Sequence, residues 1–273
     1  MFDALAQPFF QRALIAGLLA SLVCGIVGTF VVVKRISSIS GGLAHAAFGG
    51  VGLGYVLGIN PVVGAAGFAL LTSLGIGYAY RRQRQSLDTL IVVCWSVGMA
   101  LGITLIALTP GYAPDLMSYL FGSILFVDAR YLMAVVALDV VLVLFVVAFY
   151  RRLQAVVFEE EFAEIAGIGV NRYLLMLLAL IALSTVILMR VVGIIMVIAL
   201  LTMPAVVARN WSGSLVRMMV LATLIGAVCT TVGLFVAWYV DAGYGLDVPA
   251  GPLIVLVTAL VYGGDWLLRL GRS

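Results

Sequence analysis

Long runs without a charge constrain this chain more than any other feature. Residues 13–33 carry none between Arg12 and the Lys34-Arg35 pair, and residues 36–80 carry none unless His45 is protonated. A bilayer core takes about 20 apolar residues per helical crossing. The first run therefore reads as one span, too long for a cleavable signal core. The second, broken at the turn signal Gly58-Ile59-Asn60-Pro61, reads as two. Further runs at residues 89–108, 131–150, 173–189, 191–208, 218–240 and 252–268 each approach the same length. The expectation is an all-α polytopic membrane protein of eight to nine spans, nine on this division, forming a single transmembrane domain over residues 1–273. At 64% hydrophobic and 10% charged residues, with a mean hydropathy of +1.24, its solvent is mainly the lipid bilayer.

The charges orient these runs. Alternating sides gathers Lys34, Arg35, Arg81, Arg82, Arg84, Arg151, Arg152, Arg172, Arg209, Arg217, Arg269 and Arg272 on one face and leaves Arg12, Arg130 and Arg190 on the other. Cytoplasmic loops carry the excess of Lys and Arg, so the amino terminus is expected outside and the carboxyl terminus in the cytoplasm. The net charge of +3 follows from that anchoring and does not point to nucleic acid. Cys24, Cys94 and Cys229 lie far apart inside apolar runs and read as packing residues.

Two segments are not simple spans. Residues 113–128 are short and amphipathic, as a helix at or dipping into the outer side would be. Residues 151–172 form the longest polar stretch, with an acidic cluster, Phe158, Phe162 and Ile165 at helical spacing, and Gly167 and Gly169 behind them. A short amphipathic helix ended by glycine is expected there. Periodicity alone does not separate a docking helix from an ordinary loop helix.

Ionisable residues inside spans are costly and mark function by default. His45 is the leading one. In a helix Gly41, Gly49 and Gly52 share its face, which is then bare of side chains and admits either a closely packed helix or an ion path. Asp247, in the proline-stiffened Leu246-Asp247-Val248-Pro249 turn, can meet an entering cation or cap the following helix. Asp139, near mid-span, can protonate, pair with an arginine or line a cavity. Asp88 reads as an interfacial cap paired with Arg81, Arg82 or Arg84. Met189, Met196 and Met203 recur every seven residues, a pattern of core packing before a thioether ladder. Pro204 should kink its span or free carbonyls toward a cavity.

Enzyme signatures are absent: no G-x-x-x-x-G-K-[ST] loop, no G-x-S-x-G elbow, no H-E-x-x-H, and one histidine only. A chain of this kind that moves a solute takes its energy from an ion gradient or from another subunit.

Several segments, in order, resemble the membrane subunits of ATP-driven importers for zinc, manganese and iron. They are Gly28-Thr29-Phe30-Val31-Val32, Leu43-Ala44-His45-Ala46, Asp88-Thr89-Leu90, Asp115-Leu116-Met117-Ser118-Tyr119-Leu120-Phe121-Gly122, the stretch 192–208 with Leu200-Leu201-Thr202-Met203-Pro204-Ala205, and Asp247-Val248-Pro249-Ala250-Gly251-Pro252. The resemblance implies an ABC importer permease in a prokaryotic plasma membrane, acting as a homodimer or a pair of similar subunits with two cytoplasmic ATPase subunits and an extracytoplasmic metal-binding protein. It implies no permanently bound cofactor, only a transported divalent metal. It makes His45, Asp247 and, more weakly, Asp139 the candidate metal contacts, and it makes Phe158, Glu160, Phe162, Ala166, Gly167 and Gly169 the ATPase-coupling residues. The family typically carries aspartate where this chain has Gly41, and some relatives carry a second histidine where Ser96 stands beside Cys94. The roomier path this leaves raises a chelated metal or other small solute as an alternative cargo. A carrier driven by an ion gradient, with Asp139 as proton site, is a further alternative.

Overall fold

The computed structural model describes residues 2–83, 86–109, 120–122, 124–245 and 248–271, and every regular element among them is helical. In chain order these are α1 (Phe2–Leu5), α2 (Pro8–Val33), α3 (Ser38–Leu57), α4 (Pro61–Gln83), α5 (Leu87–Leu108), α6 (Ala129–Phe158), α7 (Glu160–Ile165), α8 (Val170–Val192), α9 (Ile194–Trp211), α10 (Leu215–Tyr244) and α11 (Ala250–Leu270). Nine are long, and eight of these have the length and hydropathy of a membrane crossing. The long helix outside that eight is α3, whose glycines and His45 dilute its hydropathy.

Local chemistry sets the boundaries. Gly58 ends α3 at φ 67°, with Ile59 N–H donating to the Gly54 carbonyl at 3.0 Å, the glycine-terminated pattern in which a residue past the helix returns to its last turn. Asn60 then caps α4, its Oδ1 accepting from Val62 N–H at 2.9 Å, and Pro61 takes the first helical position, where no N–H is needed. Ser86 starts α5 by accepting from Thr89 N–H at 3.2 Å. The span expected at 131–150 runs through Arg151 and Arg152 to Phe158, a 30-residue helix, because Leu153, Val156 and Val157 continue a buried face past the charges. Of the outer segment 113–128, residues 113–119 and 123 lie outside the described residues, and Ile124–Phe126 is a 3₁₀ turn.

The chain divides into two compact units. The first comprises Met1–Val32, Met117–Asp139 and Leu188–Ser273. Small residues on α2 let it touch its neighbours: a Cβ on Gly25 would stand 2.5 Å from the Thr223 backbone nitrogen, and one on Gly28 2.1 Å from the Leu201 carbonyl oxygen. Ser21 hydrogen-bonds Thr230 across α2 and α10 at 3.3 Å. At one end of this unit the buried Asp265 carboxylate accepts from Asn210 at 2.7 Å, Trp211 at 2.6 Å and Arg269 at 3.2 Å, tying the ends of α9 and α11. Gly193 separates α8 from α9 at φ 87°, and its backbone lies against that of Phe121 and Gly122. Pro204 stands inside α9 without ending it. Met189 and Met196 are buried, as the packing reading expects, on the two helices that Gly193 separates.

The second unit comprises Val33–Leu116 and Val140–Ile187. At its centre α3 packs on α5 and α4 at backbone contact. A Cβ on Gly98 would stand 2.6 Å from Ala46 Cα, and one on Gly50 2.2 Å from the Gly64 carbonyl oxygen.

Candidate functional site

His45 sits midway along α3, half-buried, in the stretch where α3 and α5 pack at backbone contact. Two of the three glycines noted in sequence on the His45 face meet neighbouring helices. Gly49 faces Phe68 and Gly98, and Gly52 faces Gly102, so these two glycines serve helix packing. What remains at His45 is the imidazole itself. Its Nδ1 is buried with no hydrogen-bond partner, and Trp95 of α5 is stacked on the ring with 4.6 Å between centroids and 4° between planes. An unpartnered imidazole nitrogen inside a span is a vacant acceptor or donor, and such groups are normally satisfied. Cys94 is half-buried and Ser96 exposed on the same helix.

Asp139 lies in the first unit, 5% exposed, with neither carboxylate oxygen bonded. Neither an arginine partner nor any other hydrogen-bond partner meets it among the described residues. Asp247 lies outside the described residues. Among the described residues no three His, Cys, Asp or Glu side chains gather closely enough to hold a metal ion.

The polar segment 151–172 forms a second constellation. Phe158 closes α6, Glu159 breaks the helix at φ −152°, and α7 follows. Gly167 ends α7 at φ 76°, and Ile168 N–H reaches back to the Ala163 carbonyl at 2.9 Å. One side of α7 is sealed. Ala163 is fully buried, Glu160 pairs with Lys34 and, at 3.4 Å, with Arg81, and Glu164 pairs with Arg81. Lys34 Nζ also donates to the Val156 carbonyl at 3.2 Å. The other side is bare: Phe158, Phe162 and Ile165 are 61%, 62% and 86% exposed. A short helix anchored by charge on one side and offering three large apolar side chains on the other can receive a protein partner. Ala166, Gly167 and Gly169 form the turn behind it, with open space around both glycines.

Asp88 accepts from Ser38 and has no ion pair among the described residues: Arg81 pairs with Glu160 and Glu164, Arg82 donates to the Tyr78 hydroxyl, and Arg84 lies outside the described residues. Sequence reading passed over Trp95, which stands between the two residues it weighed, and over Lys34 and Arg81 as partners of Glu160. Both relations join residues roughly fifty to a hundred and thirty positions apart, and no local pattern announces them.

Nine long helices among the described residues, eight of them with the length and hydropathy of a membrane crossing, define a polytopic membrane protein. The chain belongs to the ABC 3 transport family, which it matches over residues 6–266. It is 42% identical to an uncharacterised membrane protein of Synechocystis over 262 residues, covering 96% of this chain and 91% of the relative. It is 34% identical to the manganese import system permease protein ScaB of Streptococcus gordonii, covering 93% and 89%. Among solved structures, PsaBC from Streptococcus pneumoniae in complex with Fab superposes with a TM-score of 0.83 at 32% identity, covering 97% of this chain and 94% of that one. This chain is a multi-span ABC permease, and the relatives named for transport are membrane subunits.

Proposed function

We propose that this chain is the transmembrane pathway subunit of an ATP-driven importer of a divalent first-row metal ion, that His45 meets the ion in transit, and that hydrolysis takes place on a separate ATPase. The observation that carries the reading is the His45 imidazole, with a buried and unpartnered Nδ1, on a central helix of the second unit of a chain that matches the ABC 3 transport family over residues 6–266. A metal cation satisfies that nitrogen, and imidazole is the commonest biological metal ligand. Manganese enters through the names of the relatives. Zinc and iron stand beside it because Gly41 offers no carboxylate on the His45 face, and imidazole suits those two ions at least as well. Asp247 and Asp139 are the further candidate contacts.

Residues 151–172 are the coupling segment of a single permease domain. Phe158, Phe162 and Ile165 dock an ATPase, and Glu160, Ala166, Gly167 and Gly169 shape and seat the helix that presents them. A homodimer over two ATPases, fed by an extracytoplasmic binding protein, completes the assembly. The basic ends of the spans face the cytoplasm and the amino terminus lies outside, a reading supported by the gathering of Lys and Arg at alternate ends of the spans. ATP binding closes the ATPases and moves α7, and the path switches between sides by shifting between pre-existing states.

The test is cellular metal content across first-row metals in starved cells expressing the chain with its ATPase and binding protein. Selective accumulation of one metal, reduced at least about tenfold by His45→Ala, is the expected result, since one lost contact to a desolvating ion is worth above about 1.4 kcal/mol. Full accumulation in His45→Ala removes His45 from the path. No metal accumulation by the wild-type complex turns the reading to a chelate or other solute, which Gly41 leaves room for.

A further inference from the structure

The stacked indole of Trp95 has no part in metal contact as described so far. Core filling does not account for it, because 40% of Trp95 remains exposed while its ring lies flat on His45. The stack is held by the backbone. Gly98, one turn beyond Trp95, brings α5 within 2.6 Å of Ala46 Cα as measured from a would-be Cβ, and Gly102 repeats the contact at the Phe48 carbonyl oxygen at 2.3 Å. The contact of the two helices keeps the bases of both side chains close together.

Parallel rings with 4.6 Å between centroids are offset from one another, a favourable geometry for two neutral aromatic rings. An imidazole that has donated a lone pair to a divalent cation is electron-poor, and an indole face attracts it as it attracts other cations. The stack at His45 therefore holds the empty ring in place and is strengthened when the ring carries a cation. It also fixes the plane in which the ring's two nitrogens present their lone pair and proton, on a face where Gly41 supplies no carboxylate to do so.

We propose that Trp95 is a positioning and affinity-determining residue for the transported cation: its indole clamps the His45 ring in one orientation and stabilises that ring while it carries a divalent transition-metal ion. This rests on the reading of His45 as a metal contact.

The experiment uses the full chain in lipid nanodiscs with Trp211→Phe, Trp238→Phe and Trp266→Phe, so that Trp95 is the sole tryptophan emitter, and Co²⁺ as the probe. Saturable quenching of Trp95 emission, reversed by Zn²⁺ and abolished by His45→Ala, is expected. In the otherwise wild-type chain, Trp95→Leu should weaken Co²⁺ binding measured by calorimetry about three- to tenfold, and Trp95→Phe should recover most of the loss. Saturable binding that requires His45 but is unchanged in Trp95→Leu overturns the role of Trp95 alone. Absence of any saturable Co²⁺ binding to the wild-type chain overturns the metal contact at His45 and this proposal together. A Trp95→Leu loss that Trp95→Phe does not recover overturns the aromatic mechanism.

Discussion

Glu160→Gln should uncouple ATP hydrolysis from transport without dissociating the ATPase. Glu160 faces into the protein, one carboxylate oxygen on Lys34 and the other 3.4 Å from Arg81. The Lys34 and Glu160 side chains are 10% and 18% exposed, Arg81 30% and Glu164 49%. Removing the charge from a pair as sheltered as Lys34–Glu160 leaves the ammonium with two neutral acceptors, the new amide oxygen and the Val156 carbonyl, in place of a carboxylate, and costs about 1–3 kcal/mol. The Arg81 contact is longer, more exposed and backed by Glu164, so after solvent screening it contributes under about 1 kcal/mol. A loss near 2 kcal/mol shifts the balance between a seated and an unseated α7 by about 30-fold. The apolar face of Phe158, Phe162 and Ile165 is untouched, so the ATPase should still copurify. The assay is ATP hydrolysis by the reconstituted complex with and without metal-loaded binding protein, beside metal uptake. Stimulation and uptake should fall together in Glu160→Gln and in Lys34→Glu, and the pair Lys34→Glu with Glu160→Lys should recover part of both. Unchanged stimulation in Glu160→Gln, or a double variant no better than either single one, would refute the reasoning.

Ile165→Asp should release the ATPase instead. It replaces an 86% exposed apolar side chain, whose burial against a partner is worth about 1.5–3 kcal/mol, so copurification should weaken at least tenfold while the chain still inserts; undiminished copurification removes the docking face. Gly193→Ala should destabilise the first unit by more than the roughly 1–2 kcal/mol of a left-handed alanine, since the new Cβ would meet Phe121 C at 2.4 Å. Its thermal midpoint in detergent should drop by several degrees, and an unchanged midpoint argues against the close approach of these backbones.

The spans were legible because a bilayer makes apolar length a one-dimensional signal, and the turn at Gly58-Ile59-Asn60-Pro61 because every group that makes it is local. His45 was legible for a related reason, as the sole histidine, set in an otherwise uncharged run. The end of α6 was misplaced because Arg151 and Arg152 read as a membrane boundary, while the helix beyond them is held by an apolar stripe that a span-length search does not seek. The glycines around His45 were seen but their use was open, since a bare helix face looks the same whether a helix or an ion occupies it. Trp95 and the partners of Glu160 depend on which helices pack together, and single-sequence periodicity carries no information on that.

The contacts of the second unit decide whether α3 crosses the membrane, which its hydropathy alone leaves open. Lys34 follows α2 directly and Arg81 closes α4, yet both reach the same Glu160 carboxylate. They therefore lie at one level along the membrane normal. A 23-residue helix is about 34 Å long, enough to carry the chain from one face of a bilayer to the other. If α3 stayed on the side where α2 ends, α4 would begin there and deliver Arg81 to the opposite face, about 30 Å from Lys34. Only a crossing by α3 returns Arg81 to Lys34. The bond from Ser38, at the start of α3, to Asp88, in the first turn of α5, requires the same alternation: α3 and α4 must both cross for those two residues to meet. The glycine-rich helix that carries His45 is thus a span in its own right, polar enough to escape a hydropathy threshold because its surface faces other helices, where backbone contact with α5 and α4 replaces contact with lipid.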